Sequence, residues 1–303
     1  MRIYIINQTF YLELKFMNAI KLNEKIARFY DECTPVWEKA WSEHIHQGYY
    51  GPNGDENKDH LQAQDDLIEA MLDFAQIDVQ NDTTSSLLDI GSGIGGTLFY
   101  LSDRFQGQLS GVTISESQAK RTRVLAQQKE LAHRLSVQLG DVLDDETTLQ
   151  AHDVVWSIEV CEHLSDKSSL FSKKFEATKP GGTMVMTTFC HRGISDKPLS
   201  DREQNLLKKF YKNYHIPYVE SLEQYTEYAK SAGYEDVRSE DWTIATEPFL
   251  RAILSSMFAP KTLWQVLQSG ALLKQGALGL KTVIKAKESG LLRFGVITGR
   301  RPE

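Results

Sequence analysis

Apolar positions recur along this chain in two rhythms. Up to about residue 80 the spacing is helical: Leu22, Ile26, Phe29, Tyr30 and Cys33 fall on one stripe. Thr34 followed by Pro35 reads as the N-cap and first turn of a second helix, which carries Val36, Trp37, Ala40 and Trp41. The turn-rich stretch 49–57, YYGPNGDEN, interrupts before Leu61, Ile68, Met71, Leu72 and Ala75 restore a helical stripe. Short apolar runs then alternate with helical stretches, the rhythm of βαβ units around a parallel sheet. Strands are predicted at 86–90, 109–114, around Val137 and Leu139, at 153–157 and at 183–189 after a Lys179-Pro180-Gly181-Gly182 turn. A last strand at 291–298 is expected to run antiparallel, as late additions to such sheets often do. Ser115 with Gln118, and Ser221 with Gln224, have the spacing of capping boxes, and Gly233 is placed to end the second of these helices in a left-handed turn.

This order predicts an α/β, Rossmann-like, seven-stranded and mostly parallel sheet. Residues 1–20 form an N-terminal arm, either strand-like or poorly ordered, 21–80 a helical lid, and 81–303 the core. The core carries insertions at about 192–220 and 248–287. The first of these is polar. The second is apolar, with Phe249, Leu250, Ile253, Leu254, Phe258, Trp264, Leu267, Leu272 and Leu273. Such a stretch could wall an elongated isoprenoid pocket, rest on a membrane surface, pack in the core or meet a second copy in a homodimer.

Composition narrows the classes. With 34 Lys plus Arg against 41 Asp plus Glu, the 303 residues carry a net charge of −7, which disfavours a nucleic-acid partner. No apolar run approaches the ~18 residues of a membrane span, and the start lacks the order of a signal peptide. The three cysteines, Cys33, Cys161 and Cys190, have neither zinc nor CxxC spacing. A cytoplasmic protein with free thiols is expected.

The most informative string is LLDIGSGIGG, 87–96, between a strand and a helix. Glycines there permit a tight turn and close approach of a ligand to the helix N-terminus. Gly91, Gly93 and Gly96 satisfy G-x-G-x-x-G, but the acid expected about 20 positions on for a nicotinamide cofactor is missing from GVTIS. Asp89, ahead of the first glycine, instead suits the cationic amino-acid end of S-adenosylmethionine. Gly140-Asp141-Val142 follows the third strand, where a carboxylate could accept from an adenine amino group or simply cap its own turn. WSIEVCEHL, 156–164, puts carboxylates and an imidazole at the sheet's carboxyl edge, where open α/β sheets bind ligands.

Together with FYDECTPVWEKAWSEHIHQGYY, GVTISESQAKR, FCHRGIS, DREQNLL, SEDW and the ending RFGVITGRRP, these segments resemble the class I S-adenosylmethionine-dependent methyltransferases, and more narrowly the γ-tocopherol C-methyltransferase family. The resemblance implies S-adenosyl-L-methionine as cofactor, held by Tyr30, Asp89, Gly91, Gly93, Thr113, Ile114, Gln118, Asp141, Val142 and Ser157. It implies a small apolar or aromatic acceptor: a prenylated phenol, or alternatively an indole alkaloid or other amine. Two departures, Ser92 between the glycines and EVCEH after the fourth strand, leave the acceptor less determined than the reaction. Were the acceptor carbon to lie beside a phenol, a base would raise its nucleophilicity. Glu162 is the first candidate, with His163 and His191 behind it. Glu159 and Glu162 would share one face if a helix begins there. Phe29, Tyr30, Trp37, Trp41, Tyr49 and Tyr50 could close over the site or merely pack. His44 and His46 invite a metal reading, but two His one residue apart share a side only on a strand, and no third ligand is evident. Hydrogen bonds to cofactor or acceptor are the preferred role for them.

Overall fold

The computed structural model describes residues 24–28, 31, 43–79, 85–195, 197–257 and 271–303. The expected arm at 1–20 lies outside the described residues. So do Phe29, Tyr30, Cys33, Trp37, Trp41, Phe258, Trp264 and Leu267.

The helical stripe at 61–75 becomes helix α1 (His60–Ala75). Its N-cap Asp59 accepts from Leu61 N and Gln62 N at 3.0 and 2.9 Å, and its buried face is Ala63, Gln64, Leu67, Ile68, Met71, Leu72 and Ala75. The alternating region that follows contributes β1 (Leu87–Ile90), α2 (Gly96–Ser102), β2 (Leu109–Thr113), α3 (Glu116–Gln128), β3 (Leu135–Leu139) and β4 (His152–Ile158). A 3-10 turn (Cys161–His163) leads to α4 (Lys167–Ala177) and β5 (Thr178–His191). The remaining elements are α5 (Asp201–Tyr214), α6 (Leu222–Ala232), β6 (Glu235–Asp241), α7 (Thr243–Met257), α8 (Ala271–Glu288) and β7 (Leu292–Arg300).

The strands form one seven-stranded sheet in the order β3-β2-β1-β4-β5-β7-β6. β7 runs antiparallel between β5 and β6, and the pairings from β3 to β5 are parallel. Strand β1 is buried on both faces, as a central parallel strand must be. One layer of the core joins α1, α7 and α8 to the sheet through Leu67, Phe249, Leu250, Ile253 and Val283; the other brings in α4 and α6 through Leu170, Phe171 and Tyr225. Phe249, Leu250 and Ile253 of the apolar insertion are therefore core residues.

Three local expectations come out differently. Strand β6 was not foreseen, because EDVRSED has no apolar alternation; it is an outer strand whose exposed charges leave little hydrophobic signal. Strand β5 begins at Thr178, so the Lys179-to-Gly182 turn is an irregularity within a strand, with Gly181 at φ 72° and its N–H given to Arg301 O. Neither Ser115 nor Ser221 heads a reciprocal capping box. Ser115 Oγ accepts from Gln118 N, but the Gln118 carbonyl accepts from Thr113 Oγ1 at 2.9 Å and does not reach back to the cap. The reciprocal box is Ser200 with Glu203, at the head of α5.

Gly233 ends α6 as expected, at φ 109°, and a Cβ there would lie 2.9 Å from the Phe175 ring. Gly233→Ala is expected to lower the unfolding free energy by about 1–3 kcal/mol, read from the midpoint of urea denaturation.

Candidate active site

The order of the strands reverses between β1 and β4, and the segments leaving their carboxyl ends diverge there to open a cavity. Gly91 N and Ser92 N both donate to Val112 O, at 2.8 and 3.0 Å, which folds the glycine loop back over β2. Two glycines in it serve different ends. Gly91, at φ 78°, lies so close to Val160 that a Cβ would come within 2.2 Å of its Cγ2. Gly93, at φ 54°, has nothing within 4 Å of where a Cβ would sit, which leaves its backbone open to a ligand. Gly96 opens α2 directly beneath Glu43 O, so the segment entering from 43 rests on the helix start.

The cavity is lined by Gly91 and Gly93; Thr113, Ile114 and Gln118; Asp141 and Val142; Ile158, Glu159, Val160, His163 and Leu164; and, from the N-terminal region, Ile26 and Ile45. Seven of the residues expected to hold the cofactor thus meet around one space. Tyr30 lies outside the described residues. Asp89 and Ser157 are buried and are not part of the lining. Ser157 Oγ instead accepts from Lys174 Nζ at 2.5 Å. Burial pushes the Asp89 carboxyl up to about 8 against the pull of Lys174, and burial pushes the Lys174 ammonium down to about 7.

Among the expected catalytic groups, only His163 lines the cavity. Burial lowers it to about 4, so it is a neutral imidazole at physiological pH. Glu162 is buried beside it, accepts from Thr188 Oγ1 at 2.8 Å and is pushed up to about 7 by desolvation. Their turn is pinned by Lys167, whose ammonium donates to Cys161 O and Leu164 O, both at 2.9 Å, and stands 4.3 Å from the Tyr218 ring centre. His191 ends β5 with Nδ1 2.7 Å from Arg192 O, away from the lining. Glu159 and Glu162 do not share a helix face: the helical turn starts after Glu159, which itself adopts the left-handed region at φ 54°.

Glu159 is the residue whose part the sequence did not disclose. Its Oε1 accepts from Gln47 N at 2.6 Å, and burial followed by repulsion from Glu162 raises it to about 8. Nothing local in EVCEH signals that a loop 112 residues earlier supplies its donor. That loop also brings His44 and His46 together, contrary to the strand-only expectation: His46 Nε2 is 3.2 Å from His44 Nδ1, and His44 Nε2 is 3.1 Å from Asp65 Oδ1. Their partners are each other and the protein, and no cluster of three or more potential metal ligands occurs among the described residues.

A sheet of this order with a glycine cradle at its switch point, an open backbone at Gly93 and a buried carboxyl at Asp89 fits S-adenosylmethionine, and defines a class I methyltransferase dependent on it. The chain belongs to the mycolic acid cyclopropane synthetase family, whose profile matches residues 27–260. It is 34% identical over 288 residues to a chloroplastic tocopherol O-methyltransferase of Arabidopsis thaliana, covering 93% of this chain and 83% of that one. A norajmaline N-methyltransferase of Rauvolfia serpentina is 29% identical over 286 residues, covering 92% and 98%. The solved structure of a cyclopropane synthase from Mycobacterium tuberculosis superposes with a TM-score of 0.79 at 18% identity, covering 92% of this chain and 98% of that one.

The two loop glycines should separate experimentally. Gly93→Ala is expected to cost about 1–2 kcal/mol of stability from its φ alone while weakening S-adenosylhomocysteine binding about tenfold or more in calorimetry. An unchanged dissociation constant for that variant would remove Gly93 from the cofactor cradle.

Proposed function

We propose that the chain transfers a methyl group from S-adenosylmethionine to a ring carbon of a prenylated phenol, a tocopherol-like acceptor. The observation that carries the reading is the pair of desolvated carboxyls, Glu159 and Glu162, set at the sheet edge beside the cofactor cavity. When bound, the cofactor supplies a methyl group on a positively charged sulfur, activated toward in-line attack. The residues lining the glycine-loop side, from Gly91 to Val142, hold it, with the Asp89 carboxyl buried behind them. Loop 43–50, fastened to Glu159 through Gln47, excludes water from the reacting atoms, so alignment supplies much of the acceleration.

Glu162 is the base in this reading. Its carboxylate takes the phenolic proton and the electron pair stays on the ring, raising the nucleophilicity of the neighbouring carbon. After transfer that carbon gives up its proton and the oxygen regains one, so one proton leaves per methyl group. His163 borders the same space as a neutral hydrogen-bonding group. Free buried thiols at Cys161 and Cys190 agree with a cytoplasmic setting, and no helix among the described residues is long and apolar enough to cross a membrane.

Transfer of tritiated methyl to a chromanol and to an indole amine tests the acceptor class. Label is expected in the chromanol, and methylation of the amine alone would overturn the phenol. In the same assay Glu162→Gln should lower kcat about a hundredfold or more with unchanged S-adenosylhomocysteine affinity. Because a raised carboxyl must lose its proton to act as base, wild-type kcat should rise with pH through about 7, and this limb should vanish in the variant. A variant that keeps both kcat and the limb shows that Glu162 is not the base.

A further inference from the structure

Loop 43–50 gives Ile45 to the wall of the cofactor cavity, rests Glu43 O on the start of α2 and gives Gln47 N to Glu159. Ile45 stands between two histidines whose side chains join in a chain of hydrogen bonds. His46 Nδ1 lies 2.8 Å from Gln47 O, His46 Nε2 lies 3.2 Å from His44 Nδ1, and His44 Nε2 lies 3.1 Å from Asp65 Oδ1 in α1. The main chain on either side of Ile45 is held from α1 as well, because Gln64 Nε2 donates to His44 O at 3.1 Å and to His46 O at 2.9 Å.

The chemistry of these partners fixes where the protons are. Gln47 O is a carbonyl and can only accept, so His46 Nδ1 carries a hydrogen. His46 is buried, and burial followed by the charge of His44 lowers it to about 3. It is therefore neutral, and its Nε2 is bare. A bare nitrogen accepts, which makes His44 Nδ1 the donor. Asp65 is a partly exposed carboxylate and also only accepts, so His44 Nε2 donates too. An imidazole that donates from both nitrogens is an imidazolium.

The groups facing His44 leave that charge one anion in contact. From α1 comes Asp65, and from the loop itself come Glu43 and the neutral His46. From α2, Tyr100 presents its ring edge-on at 6.3 Å between centres, and its hydroxyl is spent on Glu69 Oε1 at 2.6 Å, which Arg104 contacts at 2.8 Å. A neutral His44 would keep one of its two bonds, because neither Asp65 Oδ1 nor His46 Nε2 can donate to a bare nitrogen. The seated loop thus holds a proton that a free, neutral imidazole lacks, and its seating weakens as the pH rises.

We propose that His44 is a positioning residue which, as an imidazolium bridging Asp65 and His46, seats Ile45 against the cofactor cavity and thereby sets the affinity for S-adenosylmethionine. The bond from its ring to Asp65 joins opposite charges, the stronger kind, and ties the loop to α1 next to the main-chain bonds made by Gln64. His44 acts through the loop and its hydrogen bonds are to the protein. The inference concerns the donor and holds whichever acceptor is methylated.

Nitrogen NMR of the chain loaded with S-adenosylhomocysteine should show both His44 ring nitrogens protonated at physiological pH, and one bare nitrogen overturns the assignment. Calorimetric titration with S-adenosylhomocysteine at about pH 6 and about pH 9 reads the consequence. At the lower pH His44→Phe, which keeps a ring beside Tyr100, should bind about tenfold less tightly than the wild-type chain, and at the higher pH the two should agree within about threefold. The ratio between the two chains is the quantity compared, because the titrations of Asp89, Glu159 and Glu162 are common to both. Asp65→Asn should show the same narrowing, since its amide can donate to the bare nitrogen of a neutral His44. It decides the matter if His44→Phe fails to fold. A ratio that is equal at the two pH values, in whichever variant folds, is the mark of a histidine that only packs, and it overturns the proposal.

Discussion

A hydrogen bond ties loop 43–50 to the carboxyl end of β4: the Gln47 N–H donates to the Glu159 carboxyl at 2.6 Å. A hydrogen bond between neutral groups of this kind contributes about 0.5–1.5 kcal/mol net, and losing it would leave a buried donor unpaired at a cost of about 1–3 kcal/mol. Glu159 can present its carboxyl there because its backbone adopts φ 54°, and the chain turns straight into Val160, which packs against Gly91. A backbone constraint in the glycine loop, a strained residue after β4 and the position of an upstream loop are thus consecutive links. Gln64 adds the last, donating from α1 to the carbonyls of His44 and His46.

Around that bond the protein buries charge of both signs. Asp89 is coupled to Lys174, and Glu159 to Glu162 and Lys287, and desolvation moves each toward its neutral form. Groups whose neutral and charged forms lie close in free energy at physiological pH respond to small electrostatic changes, and a cationic cofactor is such a change. The arrangement costs stability, since packed apolar side chains in these positions would be cheaper to bury.

Legibility in the sequence followed burial. Strands covered on both faces, such as β1 and β4, announce themselves as apolar runs, and the glycine loop shows because few residues tolerate its backbone. One wall of the cavity was readable for that reason: Gly91, Gly93, Thr113, Ile114, Gln118, Asp141 and Val142 come from short motifs at strand ends and line one space. What stayed hidden depends on long-range pairing. Strand β6 is charged and gains its hydrogen bonds from β7, Gln118 spends its side chain on Thr113 and not on its own cap, and Glu159 meets a donor far upstream. Lys287 looked like any lysine near a helix C-terminus, where such residues are common for electrostatic reasons.

The reversed direction of β7 has an effect on how such an enzyme can change. Because β7 starts at the end of the sheet where chemistry happens, α8 delivers its last turn to that end after the cofactor loops are complete. The segments that line the cavity all precede residue 165, whereas α7, α8 and β7 follow 240. Substitution or lengthening of the later stretch can therefore alter the packing at that end of the sheet while the glycine loop and the strand ends beside it are left intact. One end of the sheet is in this way assembled from parts of the chain that can vary separately.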